Sequence, residues 1–442
     1  MNGLRLNIPM RNPGRCGRHR RQKHNIKSVI SESHLPEIIR FQQWMKHSLP
    51  GRQHSDCKTH LEPAHFTDTG RGLKCLYRIE EGDVVVSIPY HLLITTNSVF
   101  SSDLQPIIER VGIIFTPQQL LTVFLISELF KKENSFWHPY ISLLPNVYFS
   151  SVYFSHEELK LLTKRAHCLA LEYRERFERA RKKILEFINT HVPWCDGKVS
   201  LEHIKWAWST IDTRSVYLLT EEHPLLVIDP EESHVALAPF LDFLNHKDTA
   251  QVRAGINPGS LSYEIITDDK YKKYEQVFIS YGPHDNTRLA INYGFTLPNN
   301  IHNVFHFSLE DIKACLNVDS ASLGKKQAII QENGFDLNLF CNKDGLSWSL
   351  MVALKIFTIP KEFLSLWKSI SHDASTFSEY TNLASKLAIR LLTEALLKAQ
   401  HHLQYVVMQP KSTHFHIAEK LALDDVHILQ ASLKVVQSQF IS

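Results

Sequence analysis

A chain of 442 residues is long enough for two or three domains with well-buried cores, and 43% hydrophobic with 21% charged residues is the composition of an ordinary globular protein. The net charge of +3 is too small to make the whole molecule a nucleic-acid binder, and no apolar run reaches the roughly 18 residues that span a bilayer. The seven cysteines form no CxxC and the histidines no HExxH, which argues for reduced thiols, against a disulfide framework, and against a structural metal.

The first thirty residues hold no acid, and Arg11, Arg15, Arg18, Arg20, Arg21 and Lys23 sit among Gly, Pro, Asn and His. Such a segment cannot bury a core, so residues 1–34 are expected to be a disordered basic tail. The run Arg18-His19-Arg20-Arg21-Gln22-Lys23 reads as a nuclear-localisation or nucleic-acid patch, or equally as a solvated tail. No apolar stretch follows it, so it is not a secretory signal, and a monomer of the nucleus and cytosol is the expectation.

From Leu35 to Met45 the residues Ile38, Ile39, Phe41, Trp44 and Met45 predict one apolar helix face. Residues 64–90 alternate in short extended pieces around turns at Gly70-Arg71-Gly72 and Glu81-Gly82-Asp83, a strand–turn–strand pattern. Residues from about 100 to 210 read mainly as helix. Pro117 opens one apolar helix, and Tyr173, Phe177, Ala180, Ile184 and Phe187 form the stripe of another, with its arginines mostly off that face. Trp206, Trp208 and Tyr217 read as core. Strands return over residues 225–282, as in Leu225-Leu226-Val227-Ile228 and Gln276-Val277-Phe278-Ile279-Ser280. Leu297-Pro298-Asn299-Asn300 reads as a linker, beyond which the chain is helical again: Leu383, Leu387 and Leu391 share a face, and a last helix covers Ile417 to Phe440. The expected architecture is α+β: a strand-rich unit over 35–298 with a helical insertion, then an all-α unit over 299–442.

Two short segments stand out, Asp242-Phe243-Leu244-Asn245-His246 and Ile279-Ser280-Tyr281-Gly282-Pro283-His284-Asp285-Asn286, with Tyr293-Gly294-Phe295 downstream. A lone histidine on a turn, or a tyrosine closing a strand, is ordinary core chemistry. In this order and separation the segments resemble the SET-domain methyltransferases of the Rubisco large-subunit methyltransferase-like class. Thr69-Gly70-Arg71-Gly72-Leu73, Trp137-His138-Pro139-Tyr140 with Leu143-Leu144-Pro145, and Thr213-Arg214-Ser215 are similar to further segments of that class, and the likeness spans residues 35 to 440.

The resemblance implies a β-clip-like SET domain of short strands with a pseudoknot before Tyr281, and a helical substrate-docking domain at the C-terminus. From the residues alone, those helices read equally as support for the strand-rich unit. The resemblance also implies S-adenosylmethionine as cofactor, and no metal, since no cysteine-rich segment follows the last motif. It puts Thr69, Gly70, Arg71, Arg214, Asp242, Asn245, His246, Tyr281 and Phe295 at the cofactor, with Tyr281 also catalytic. Tyr263, Tyr293 and Val216 are candidate walls of a substrate channel. The apolar Val216 favours lysine over histidine as the acceptor. The expected activity is protein-lysine N-methyl transfer to histone tails or other proteins. The alternatives are a histidine methyltransferase, an inactive SET-fold binding protein, or a scaffold using the basic tail.

Overall fold

The computed structural model describes residues 29–48, 60–229, 234–316, 320–372 and 378–441; the patch at residues 18–23 lies outside them. Strand β1 (Ile30–Ser31) pairs antiparallel with β2 (Leu61–Phe66), so regular structure begins inside the segment expected to be a tail to residue 34. Helix α1 (Pro36–His47) buries Ile38 and Phe41, and Pro36 sits in its first turn, where no backbone N–H is needed. A three-residue turn, 67–69, joins β2 to β3 (Gly70–Cys75). Gly70 takes φ +71, the left-handed position such hairpins require.

After β4 (Val84–Pro89) the strands give way to helices. Helix α2 (Pro117–Lys131) is capped by a reciprocal Thr116–Gln119 box, and every residue from Leu120 to Glu128 is buried. Helix α3 (Lys164–His191) buries Tyr173, Phe177, Ala180, Ile184 and Phe187, the stripe its periodicity predicts. Helix α4 (Leu201–Arg214) runs without a loop into β5 (Ser215–Tyr217), which fixes Arg214 at the point where helix becomes strand.

The strands β6 (Val235–Leu237), β7 (Asn245–His246), β8 (Val252–Asn257), β9 (Ser262–Thr267) and β10 (Gln276–Ile279) complete the strand-rich unit. They form sheets of order β1-β2-β3-β10-β7, β4-β9-β8 and β5-β6. Strand β10 lies antiparallel to β3 and parallel to β7, with Phe278 opposite Asn245 and Ile279 opposite His246. That register brings the two motifs together. The strand expected at Leu225–Ile228 is absent. Leu226 makes one bridge to Phe115, and the rest is loop with Val227 57% exposed. Four apolar residues in a row fit an extended loop laid on the insertion as well as they fit a strand.

The C-terminal region is mainly helical, with α5 (Trp348–Thr358), α6 (Ser378–Val407) and α7 (Phe415–Ile441). It is not all helix, because β11 (Phe305–His306), β12 (Phe340–Asn342) and β13 (Gly345–Leu346) form a small antiparallel sheet. Leu387 and Leu391 are buried as their spacing predicts, whereas Leu383 is 39% exposed. Two hydrophobic cores result, and α7 belongs to both. Phe415, Ile417, Ala418 and Leu421 pack into the core of the strand-rich unit, while Val426, Ile428, Leu429 and Val436 pack into the C-terminal one. Among the described residues no helix is long and apolar enough to cross a membrane.

Burial lowers the pKa of His246, His284 and His402, and takes His306 down to about 4. The unfolded chain therefore binds protons that the folded one refuses. The stability these histidines contribute is complete above their ordinary value near 6.5 and drains as pH falls through 6 toward 4. Asp425, buried and pushed up to about 8, holds a proton in the folded state over the same range and acts in the opposite sense. The check is therefore a difference: between pH 7 and pH 5 the urea midpoint of the parent is expected to fall relative to that of His306→Gln.

Candidate active site

The site is built where β3, β10 and β7 lie side by side. The Asn245 side chain donates from Nδ2 to the Arg71 carbonyl at 3.0 Å, and the Thr69 hydroxyl bonds the Gln276 amide at 2.9 Å. Gly72 lies between these contacts. A Cβ there would stand 2.5 Å from Gln276 Nε2 and 2.8 Å from Asn245 Nδ2, so any side chain at this position would push both amides from where they stand. The Arg71 guanidinium is already engaged, with Glu32 at 2.6 Å and the Leu143 carbonyl at 2.8 Å. The turn at Thr69-Gly70-Arg71 therefore has its backbone to offer a ligand, not the Arg71 charge.

His246 accepts the Tyr281 N–H at Nδ1 (3.0 Å), and the two rings stack with centroids 5.0 Å apart. Desolvation lowers the imidazole pKa, so the ring is neutral at pH 7 with its proton on Nε2. That Nε2 is buried and has no protein partner. The Tyr281 hydroxyl donates to the Leu244 carbonyl at 2.8 Å, and burial holds the phenol well above its ordinary pKa. Tyr293 lies 5.3 Å from Tyr281, and Phe295 lies 6.2 Å from His246 and 6.1 Å from Tyr293. Sequence-distant residues thus form one aromatic cluster.

Arg214 reaches the same place from the end of α4. Its Nη1 donates to both the backbone carbonyl and Oδ2 of Asp242, each at 3.0 Å. The Tyr140 hydroxyl donates to the same Oδ2 at 3.0 Å. Asp242 has no exposed side-chain surface and Arg214 keeps about a fifth of its own. Burial alone would lower the guanidinium pKa, but Asp242, Tyr148 and Tyr140 more than offset it. Arg214 Nε and Asp242 Oδ1 remain buried without partners. Tyr140 had no assigned role in the sequence, although it closes the Trp137-His138-Pro139-Tyr140 segment. That position was the available signal.

A cavity of about 230 Å³ opens between these elements, lined by Arg214, Val216, Tyr263, Tyr281 and Tyr293, with Val252, Ala254 and Ile265 among its apolar walls. The Tyr263 hydroxyl donates to the Tyr217 carbonyl at 3.1 Å. Tyr217 itself, expected in the core, is 69% exposed, whereas Trp208 is buried. Among the described residues no group of three or more His, Cys, Asp or Glu is placed to hold a metal ion.

Short strands in three small sheets, a helical insertion between β4 and β5, and an Asn-His pair set beside a tyrosine at the end of β10 are the features of a SET fold. The chain belongs to the SET-domain family. The sequence profile of the SET domain matches residues 70–282. SET domain-containing protein 4 of Homo sapiens is 33% identical over 438 residues, which cover 96% of this chain and 98% of that protein. The protein of the same name from Mus musculus is 33% identical over 429 residues, covering 95% and 96%. The actin-histidine N-methyltransferase of Homo sapiens is 25% identical over 341 residues, covering 75% of this chain and 54% of that protein. Rubisco LSMT bound to sinefungin and monomethyllysine shares the fold, with a TM-score of 0.64 and 19% identity over 92% of each chain.

The family is one of S-adenosylmethionine-dependent methyltransferases, and the residues present fit that cofactor. Its carboxylate, its base and its sulfonium call for a cation, for buried hydrogen-bond groups and for aromatic faces. The site holds Arg214, an unpartnered Nε2–H on His246, and the rings of Tyr281, Tyr293 and Phe295. The cofactor supplies, when bound, a methyl group on positively charged sulfur.

Proposed function

We propose that the chain is a protein-lysine N-methyltransferase. The observation that carries this reading is the character of the cavity beside Tyr281. Away from the end that holds Arg214 and Asp242 its walls are mostly apolar and aromatic, and the phenol protons of Tyr263 and Tyr281 are both directed to backbone carbonyls. A free lysine titrates near 10.4, so presenting it as a neutral amine at pH 7 costs roughly 4–5 kcal/mol. An apolar, water-poor channel disfavours the ammonium and lowers that cost. The Tyr281 oxygen, its proton committed to Leu244, can accept a hydrogen bond from the amine and align it. It is not a general base, because burial raises its pKa further. Arg214 would hold the cofactor's carboxylate, Asn245 and His246 its polar groups, and Phe295 its adenine. Methyl transfer is then mainly a matter of alignment.

Histone tails and other proteins of the nucleus and cytosol are the substrates this reading favours, with the enzyme acting as a monomer. A histidine acceptor is the second reading. The buried Ser215 Oγ has no partner and lies beside Val216, where it is available to an imidazole. The likeness to actin-histidine N-methyltransferase points the same way. The test is transfer of label from S-adenosylmethionine to core histones and to whole-cell lysate, with the modified side chain identified by mass spectrometry. Label on lysine supports the proposal, and label on histidine replaces it with the second reading. Cofactor binding without label on any protein of the lysate points to an inactive binding protein.

A further inference from the structure

The segment from Asn286 to Leu297, helical through Tyr293 and irregular beyond it, carries Tyr293 and Phe295, and a single side chain ties its ends together. Asn286 is 2% exposed. Its Nδ2 donates to the Leu297 carbonyl at 2.8 Å, and its Oδ1 accepts the Leu297 N–H at 2.9 Å. Oδ1 also accepts from Asn300 Nδ2 at 3.1 Å. The remaining proton on Asn286 Nδ2 goes to Asp424 Oδ2 at 2.6 Å. Asp424 Oδ2 takes a second donor, Asn303 Nδ2 at 3.1 Å, while Asn303 Oδ1 accepts the Asn286 backbone N–H at 2.8 Å. Every hydrogen-bonding valence of the buried amide is therefore filled, and one of them is filled from α7. Asp424 sits on α7 between Leu421, which packs into the SET core, and Val426, which packs into the C-terminal core.

We propose that Asp424 is a positioning residue for methyl transfer: by holding the Asn286 amide it fixes the segment that presents Tyr293 to the channel and Phe295 to the cofactor. The C-terminal helices thereby complete the catalytic site as well as supporting it. Removing the carboxylate leaves a buried N–H without an acceptor, and the amide must turn away from Leu297 or remain unpaired. What matters is the oxygen atom rather than its charge. Burial raises the Asp424 pKa against the pull of the two asparagine donors, and Lys420, His427 and Asp425 are the titratable groups around it. A neutral side chain of the same shape is thus expected to serve.

The test compares Asp424→Leu with Asp424→Asn in the full-length protein. Asp424→Leu is expected to raise the dissociation constant of S-adenosylhomocysteine about tenfold and to speed amide exchange at residues 293–297 by at least about tenfold. Asp424→Asn is expected to stay within about twofold of the parent in both. Neither readout depends on which side chain is methylated. Unchanged exchange and affinity in a folded Asp424→Leu variant would overturn the proposal. So would an Asp424→Asn variant as impaired as the leucine one, since that would assign the effect to charge. If Asp424→Leu does not fold, Asp424→Ser, which draws the oxygen back out of reach, is read in the same way.

Discussion

Tyr281→Phe is expected to lose methyl transfer, by about a hundredfold or more, while the protein stays folded and still binds S-adenosylmethionine. The substitution removes one oxygen. Its donation to the Leu244 carbonyl disappears, at a cost to stability of about 1 kcal/mol. The ring, its stacking on His246 and its neighbour Tyr293 are untouched. The His246 contact is made through the Tyr281 backbone N–H, so the imidazole keeps its orientation. Only the oxygen proposed to receive the substrate nitrogen is lost, and with it the alignment of nitrogen, methyl carbon and sulfur. Calorimetry with S-adenosylhomocysteine and a labelled-methyl assay on the same preparation separate the two effects. Equal turnover in the variant would remove Tyr281 from the chemistry.

The second large effect falls on stability. Asp242→Ala leaves the Arg214 charge without its buried counter-ion and the Tyr140 hydroxyl without an acceptor. Breaking a buried pair from one side costs about 3–5 kcal/mol, against a total of roughly 5–15 for a typical domain. The unfolding midpoint of Asp242→Ala is expected to fall steeply. The double change Asp242→Leu with Arg214→Met is expected to recover part of the loss, because it removes both charges together. Arg214→Lys alone is not expected to be neutral, since the guanidinium also serves Tyr148 and faces the cavity, contacts that a single ammonium nitrogen held at Asp242 cannot make together. A denaturant midpoint for each variant checks all three.

The comparison of Asp242 with Asp424 explains what could be read from the sequence. Asp242, Asn245, His246 and Tyr281 were legible because they sit in short segments whose order carries information. Helices α3 and α7 were legible from their period, and α2 from its Pro117 start and the length of its apolar run, which is buried on every side. The pairing of Arg214 with Asp242 was not legible, although both residues were singled out. The end of α4 and the turn before β7 meet only through the fold. Asn286 stood inside a recognised segment, yet its role depends on a partner in another unit. On an amphipathic helix, an acid that faces a buried asparagine looks the same in sequence as one that faces water. The misread strand at Leu225–Ile228 has the opposite cause: its hydrophobicity was real, but a run of four residues carries no period.

The double membership of α7 has a consequence for how the protein is made. Phe415, Ile417, Ala418 and Leu421 belong to the core that surrounds the catalytic strands, but they leave the ribosome after every one of those strands has been synthesised. The core of the catalytic unit therefore lacks these four side chains while translation proceeds through residues 299–414, and the surface they will cover stays open throughout that interval. A premature stop before residue 415 would leave the SET sequence intact and its core unfinished.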